Sequence, residues 1–391
     1  MTASRSAALR DALARFPASL FQFDPRIADG WLSDRYFLRT VATLAHHGRD
    51  PHVTLQLFAK HHGVVAGLYE AVRLLETQLG RDGEGRPYPR DAIAVETLLD
   101  GDAEPWETVM RVRGPYRAFG HLETPVLGVL ARRTLVASNV RRVIDAAAGR
   151  PVIFMGARHD DWRVQTPDGY AAMVGGAGSV SSDAGGAWWG ARGVGTMPHA
   201  MIAAFGGDVV AATLAFAGYV RAHEPGVTVV SLVDYRNDVV ADSLAVARAM
   251  RDAFGAGSLG GVRVDTSERL VDHSLEGAEE RYPGEALTGV NPPLVRLLRA
   301  ALDAEGFADV GIVASGGFTP RRIERFEREC VPVSAYGIGS SLLGHNRGEP
   351  DGLLANFDST ADVVEVDGRP ESKVGRGLRE NARLVKVGAG V

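Results

Sequence analysis

Residues 309–341 read DVGIVASGGFTPRRIERFERECVPVSAYGIGSS. An apolar run, Val310 to Ala314, breaks into Ser315-Gly316-Gly317, and Phe318-Thr319-Pro320 opens a helical pattern reaching about Cys330. A second apolar run, Val331 to Ala335, breaks into Gly337-Ile338-Gly339-Ser340-Ser341. The order is strand, glycine turn, helix, strand, glycine turn. Glycine reaches backbone angles closed to other residues and lets amides approach a ligand. Amides at such turns and at helix starts carry partial positive charge that suits a phosphate. Two such turns on consecutive strands predict a paired phosphate cradle of Ser315, Gly316, Gly317, Gly339 and Ser340.

The same alternation extends upstream. Strand-like runs fall at Val152 to Met155, Val227 to Val233 and Gly261 to Val264. Helical patterns fall at Thr124 to Ala147, Pro198 to Phe205, Val209 to Ala222, Ala241 to Phe254, Pro293 to Glu305 and Thr319 to Glu329. Strands alternating with helices imply a parallel sheet with helical crossovers, and the number of units suits an α/β barrel. Charged or phosphate-compatible residues follow each strand: Gly156-Ala157-Arg158-His159, Asp234, Asp265-Thr266 and the two glycine turns. In α/β barrels that end of the strands is where sites are built; the alternative is that these are ordinary polar turn residues.

The first third has another texture. Residues 1–25 suggest an amphipathic helix and a loop. Residues 53–59, VTLQLFA, alternate as a strand does, and Gly63 to Leu79 reads as a helix closed by Gly80. Short strand-like pieces follow at Ala92 to Val95 and Val109 to Val112. The tail alternates from Ala361 toward an Asp367-Gly368 turn and is expected to pair with the N-terminal sheet. The expected organisation is an α+β domain at 1–122, completed by 350–391, and an α/β barrel at 123–349.

A chain of 391 residues suits two domains. At 45% hydrophobic and 23% charged it has globular composition, and a net charge of −5 argues against nonspecific nucleic-acid binding. A single cysteine, Cys330, excludes an internal disulfide and a cysteine-based metal site. No run reaches the ~20 apolar residues of a membrane helix. Arg5, Arg10 and Arg15 interrupt any signal-peptide core, so the expected location is cytoplasmic. Only Lys60, Lys373 and Lys386 are lysines, so arginine supplies the other 40 of the 43 basic residues. No residue between Lys60 and Lys373 can form a Schiff base, which weakens aldolase and pyridoxal-phosphate readings.

A glycine-rich region runs from Gly175 into Gly195-Thr196-Met197-Pro198-His199. Pro198 suits the first turn of a helix and Thr196 could cap it, which puts His199 near the positive end of the helix dipole. On spacing alone such a histidine reads more readily as packing or surface than as a catalytic residue.

Gly195-Thr196-Met197-Pro198-His199 resembles the Gly-Thr-x-x-His motif of the nicotinate phosphoribosyltransferase family. Other segments resemble that family in the same order: Asp34-Arg35-Tyr36-Phe37, Glu123-Thr124, Gly156-Ala157-Arg158-His159 (His159 standing where the family has a second arginine) and Arg263-Val264-Asp265-Thr266. Ser315-Gly316-Gly317, Gly337-Ile338-Gly339-Ser340 and Val364-Glu365-Val366-Asp367-Gly368-Arg369-Pro370 with Lys373 complete the set. The resemblance spans about residues 30 to 375.

The resemblance implies a type II phosphoribosyltransferase, at least dimeric, with sites at the subunit interface. It implies transfer of phosphoribosyl from 5-phosphoribosyl-1-pyrophosphate to nicotinate in NAD biosynthesis, giving nicotinate mononucleotide and pyrophosphate. ATP hydrolysis is coupled through a phosphohistidine, and Mg2+ is needed. His199 is the implied catalytic residue. Tyr36 is implied to stack on the pyridine ring, from its own or the neighbouring subunit. Arg158 and Arg263 are candidates for the nicotinate carboxylate or the pyrophosphate, since a guanidinium fork matches both. Thr196 would bond the substrate or its phosphate. Asp234 and Asp265 would bind ribose hydroxyls or magnesium, or merely cap turns. Met197 stands where nicotinamide enzymes carry an aspartate, which favours nicotinate. A quinolinate enzyme would want more cations, typically lysines. A non-catalytic barrel that binds a phosphorylated ligand is the reading from another class.

Overall fold

The computed structural model describes residues 2–344 and 352–388. Backbone contacts divide the chain into two units. One comprises Met1–Asn139, Tyr170–Gly175 and Leu354–Val391; the other comprises Val140–Gly169 and Gly176–Leu353. The helix Glu123–Ala146 runs through the division, so the chain changes unit inside a helix and not at its start. The expected boundary at 349/350 lies outside the described residues.

In the second unit, six parallel strands form one sheet. In chain order they are Val152–Phe154, Ser179–Val180, Val230–Leu232, Gly261–Val264, Gly311–Ala314 and Ala335–Ile338. The first pairs with both the second and the sixth; the sixth then leads to the fifth, fourth and third. That is the cyclic order of a barrel with one break, between Ser179–Val180 and Val230–Leu232, which do not pair among the described residues. Helices cover the sheet. Pro292–Ala304 begins where Asn291 Oδ1 accepts from the Leu294 amide at 2.9 Å. It buries Leu294, Val295, Leu298 and Leu302 completely, each contributing about 1.5–3 kcal/mol.

One sequence expectation is corrected in this unit. Val331 to Ala335 is not the sixth strand: the ladder runs over Ala335–Ile338, with Gly337 inside it. Pro332 has no amide to give a ladder, and Val331 and Val333 are buried as a connection. At Gly337 a Cβ would lie 2.7 Å from Met155 Cε, so a larger residue there would displace the Met155 side chain. The short strand Ser179–Val180 and the helix Gln165–Gly175 before it were not expected.

The first unit is built on a six-stranded antiparallel sheet. His52–Ala59 lies at its centre, flanked by Glu107–Pro115 and by Ser359–Val366 from the tail. The tail turns back at Asp367 and Gly368, both at positive φ (49° and 76°), as a tight hairpin requires. Gly63–Val65 is a strand paired with Gly101–Ala103, and the helix begins only at Leu68, so the expected Gly63–Leu79 helix is shorter. Arg133 holds Glu70 through two hydrogen bonds, 3.1 and 3.2 Å, both side chains buried. Half-buried Asp100 accepts from the amides of Leu68 (2.9 Å) and Gly67 (3.3 Å) and from Tyr170 Oη (2.7 Å).

Candidate active site

The C-terminal ends of the parallel strands open into a cleft of about 630 Å³. Arg158 and His159 reach it from the turn after the first strand, Arg263 and Asp265 from the fourth. Ser315, Gly316 and Gly317 follow the fifth strand; Gly339, Ser340 and Ser341 follow the sixth. Thr196 and His199 enter from the long segment that follows the second strand. Parallel pairing forces the two glycine turns together: Ala314 is in register with Tyr336, and Ser341 Oγ donates to the Phe318 carbonyl at 3.3 Å.

Gly316 and Gly317 sit at φ 87° and 67°, angles that cost other residues about 1–2 kcal/mol. Their amides and that of Phe318 donate to no acceptor among the described residues. Unpaired amides beside a cleft form an anion-binding concavity. At the second turn, a Cβ on Gly339 would lie 2.6 Å from His159 Nε2 and 2.8 Å from the Met155 carbonyl. His159 therefore packs directly against this turn.

Arg263 organises the centre. Its Nε donates to Ser315 Oγ (2.9 Å), its Nη2 to Asp265 Oδ2 (2.8 Å) and its Nη1 to Thr196 Oγ1 (3.5 Å). Ser315 Oγ in turn donates to Asp265 Oδ1 at 2.9 Å. The guanidinium fork is thus occupied by protein groups, and four residues expected separately form one network. Arg158 is exposed on the rim and makes no ion pair among the described residues.

His199 begins a short helix, His199–Ala204. Its Nε2 lies 3.2 and 3.3 Å from the two oxygens of Asp234, a carboxylate only 5% exposed. Burial pushes the Asp234 pKa up, while the facing imidazole pulls the other way. Asp234 is therefore the partner of His199, a relation that spacing alone did not reveal. The segment before His199 lies along the break in the barrel. Val194 donates its amide to the Val180 carbonyl at 2.7 Å. Met197, 0% exposed, packs against the bonded hydroxyls of Thr213 and Ser231 (2.7 Å apart). Met197 faces the core and does not line the cleft.

Tyr36 belongs to the first unit, in the first turn of Arg35–His46, with 59% of its surface exposed. Two motifs meet there: the Asp34 amide donates to Thr124 Oγ1 at 3.0 Å, and Thr124 Oγ1 donates to Asp34 Oδ2 at 3.0 Å. Neighbouring Glu123 is pushed up to about 7, first by burial and then by Asp362 and Asp34. No group of three or more His, Cys, Asp or Glu side chains able to cage a metal occurs among the described residues. None of the helices there is long and apolar enough to cross a membrane.

The profile of the quinolinate phosphoribosyl transferase N-terminal domain matches residues 34–134. A nicotinate phosphoribosyltransferase of Mycobacterium tuberculosis is 31% identical over 373 residues, covering 88% of this chain and 74% of that protein. The nicotinate-nucleotide pyrophosphorylase of Pyrococcus furiosus superposes with a TM-score of 0.72 at 27% identity, over 94% of this chain and 85% of that one. Human nicotinic acid phosphoribosyltransferase shares the fold at a TM-score of 0.63 and 20% identity, over 88% and 77%. Likeness of this extent, carried by strand-end motifs that converge on one cleft, makes the chain a member of the nicotinate phosphoribosyltransferase family.

Proposed function

We propose that the protein transfers the phosphoribosyl group of 5-phosphoribosyl-1-pyrophosphate to nicotinate, with ATP hydrolysis coupled through phosphorylation of His199. The observation that carries this reading is the convergence in one cleft of two glycine turns, an arginine network and a histidine held by a buried carboxylate. The 5-phosphate would take the free amides of Gly316, Gly317 and Phe318 and the Ser340 hydroxyl. Departure of pyrophosphate leaves positive charge on the ribose, as in other glycosyl transfers, so the protein's part is positioning and electrostatics. Arg158, exposed and without an ion pair among the described residues, suits the nicotinate carboxylate or the pyrophosphate. Arg263 would hold Asp265 and Ser315 in place for the ribose and its phosphate. Tyr36 would cover the pyridine ring, and the active unit would be at least a dimer.

Asp234 holds Nε2 of His199, which leaves Nδ1 as the nucleophile. In the priming step Nδ1 attacks the γ-phosphorus, the bond to the β–γ bridging oxygen breaks, and ADP leaves. Magnesium would neutralise phosphate charge. The residues present fit an ion carried by substrate phosphates with one or two carboxylates, Asp265 lining the cleft and Asp234 beside His199 being the candidates.

The N-terminal match to the quinolinate family favours a second reading, quinolinate as acceptor. A second carboxylate calls for further cations, and the second unit contains no lysine. A transfer assay with nicotinate, nicotinamide and quinolinate, with and without ATP, separates these readings. His199→Ala is expected to lose ATP coupling and keep residual transfer; unchanged ATP hydrolysis in that variant would remove His199 from the role.

A further inference from the structure

Arg322 does not line the cleft, yet it touches the first phosphate turn from behind. It lies in the first turn of the helix Pro320–Arg328. Its Nη1 donates to the Gly316 carbonyl at 2.8 Å and to the Gly317 carbonyl at 3.3 Å, and its Nη2 donates to the Val290 carbonyl. The guanidinium lies 4.3 Å over the ring of Phe318, itself fully buried. No carboxylate forms an ion pair with it among the described residues; Arg325, one turn on, takes Glu285 and Glu329 instead. Burial pushes the Arg322 pKa below its ordinary value, partly offset by Glu268. A largely enclosed cation bonded only to carbonyls is costly for the fold alone.

The carbonyl and amide of one trans peptide unit point in opposite directions. Holding the Gly316 carbonyl toward Arg322 turns the Gly317 amide away from it; holding the Gly317 carbonyl does the same for the Phe318 amide. These two amides, like that of Gly316, have no acceptor among the described residues, and all three residues line the cleft.

We propose that Arg322 is a positioning residue for anion binding: it fixes the peptides of Gly316–Gly317 and Gly317–Phe318 with their amides toward the cleft, and sets a positive charge behind the bound phosphate. The inference rests on the phosphoribosyl-donor reading above. It assigns a job to a side chain whose contacts with backbone and an aromatic ring otherwise look like packing.

The test compares Arg322→Gln and Arg322→Lys with the native chain. Steady-state kinetics vary donor and nicotinate separately over a series of KCl concentrations. Calorimetry measures ribose 5-phosphate, a probe that needs no turnover. A hydrogen bond from a charged group is a strong one, so the Gln variant is expected to raise the donor KM about 10–100-fold. Nicotinate KM should stay within about twofold, ribose 5-phosphate affinity should fall in parallel, and the salt dependence of donor KM should flatten. The Lys variant keeps the charge but not the fork, so its donor KM should be intermediate. Donor and nicotinate KM rising together with a fallen Tm would make Arg322 structural only and overturn the proposal. If the Gln variant does not fold, a native donor KM in the Lys variant overturns it. A native protein that binds ribose 5-phosphate but transfers to no pyridine refutes the functional reading and leaves the binding role of Arg322 measurable.

Discussion

Replacing Asp234 by asparagine should lower phosphorylation of His199 without lowering stability. The carboxylate is almost fully buried and lies 3.2 and 3.3 Å from Nε2. Asparagine keeps the shape and loses the charge. A hydrogen bond to a charged group contributes about 1.5–3 kcal/mol, or about one to two powers of ten in rate. Stability should move differently. Burial raises the folded-state pKa of Asp234, the facing His199 opposing. A carboxylate raised in the folded state stabilises the fold below its unfolded pKa, and that contribution is lost as pH rises through the folded value. As pH rises, the buried charge on Asp234 therefore contributes less to the fold than a neutral side chain would, and Asp234→Asn should melt at the native temperature or higher. The assay is acid-labile phosphate on His199 by mass spectrometry after incubation with ATP, alongside a thermal melt at pH 7.5. Phosphohistidine at the native level would refute the pairing as functional. A fall in Tm accompanying the loss would show that Asp234 holds the fold and not the imidazole.

Gly339→Ala should raise the donor KM and cost about 1–3 kcal/mol in denaturant unfolding, because the added Cβ meets His159 Nε2 and the fixed Met155 carbonyl. Arg133→Ala should cost about 3–5 kcal/mol by urea titration, since it strands buried Glu70 without its partner. Glu123→Gln should stabilise the chain at pH 8 relative to pH 4. Native Glu123, raised to about 7, contributes stability below pH 4.5 that is lost as pH rises through 7, up to about 3 kcal/mol. A pH-independent difference in Tm between variant and native would contradict this assignment.

The alternation of strands and helices was legible because each parallel strand is a short apolar run bounded by glycine or charge, and because the residues after it are polar. The tail's return to the first sheet was legible in Asp367-Gly368. The sixth strand was misread because Val331-Pro332-Val333 is more apolar than Ala335-Tyr336-Gly337-Ile338, although only the latter can form a ladder. The beginning of the Gly63–Leu79 segment was misread because one apolar run serves a strand and then a helix, parted by Gly67 at φ 93°. In the site, residue types were readable but pairings were not. That Asp234 would face His199, and that Arg263 would join Thr196, Asp265 and Ser315, depends on barrel register. Arg322 gave no signal, because an arginine that bonds carbonyls has no sequence pattern of its own.

The sixth strand lies beside the first, and the tail lies beside His52–Ala59. Each unit is thus completed by a segment that follows the strand it pairs with by many residues. Pairing across so many residues carries a large loop-closure entropy and slows folding. A nascent or truncated chain ending before Ala335 would leave the edge of Val152–Phe154 bare and lack the Gly339 turn altogether. Loss of the tail would leave His52–Ala59 as an exposed apolar edge, the kind that aggregates. Order along the chain therefore makes the Gly339 turn one of the last parts of its unit to be made, and the phosphate affinity proposed for it a reporter of that unit's complete folding.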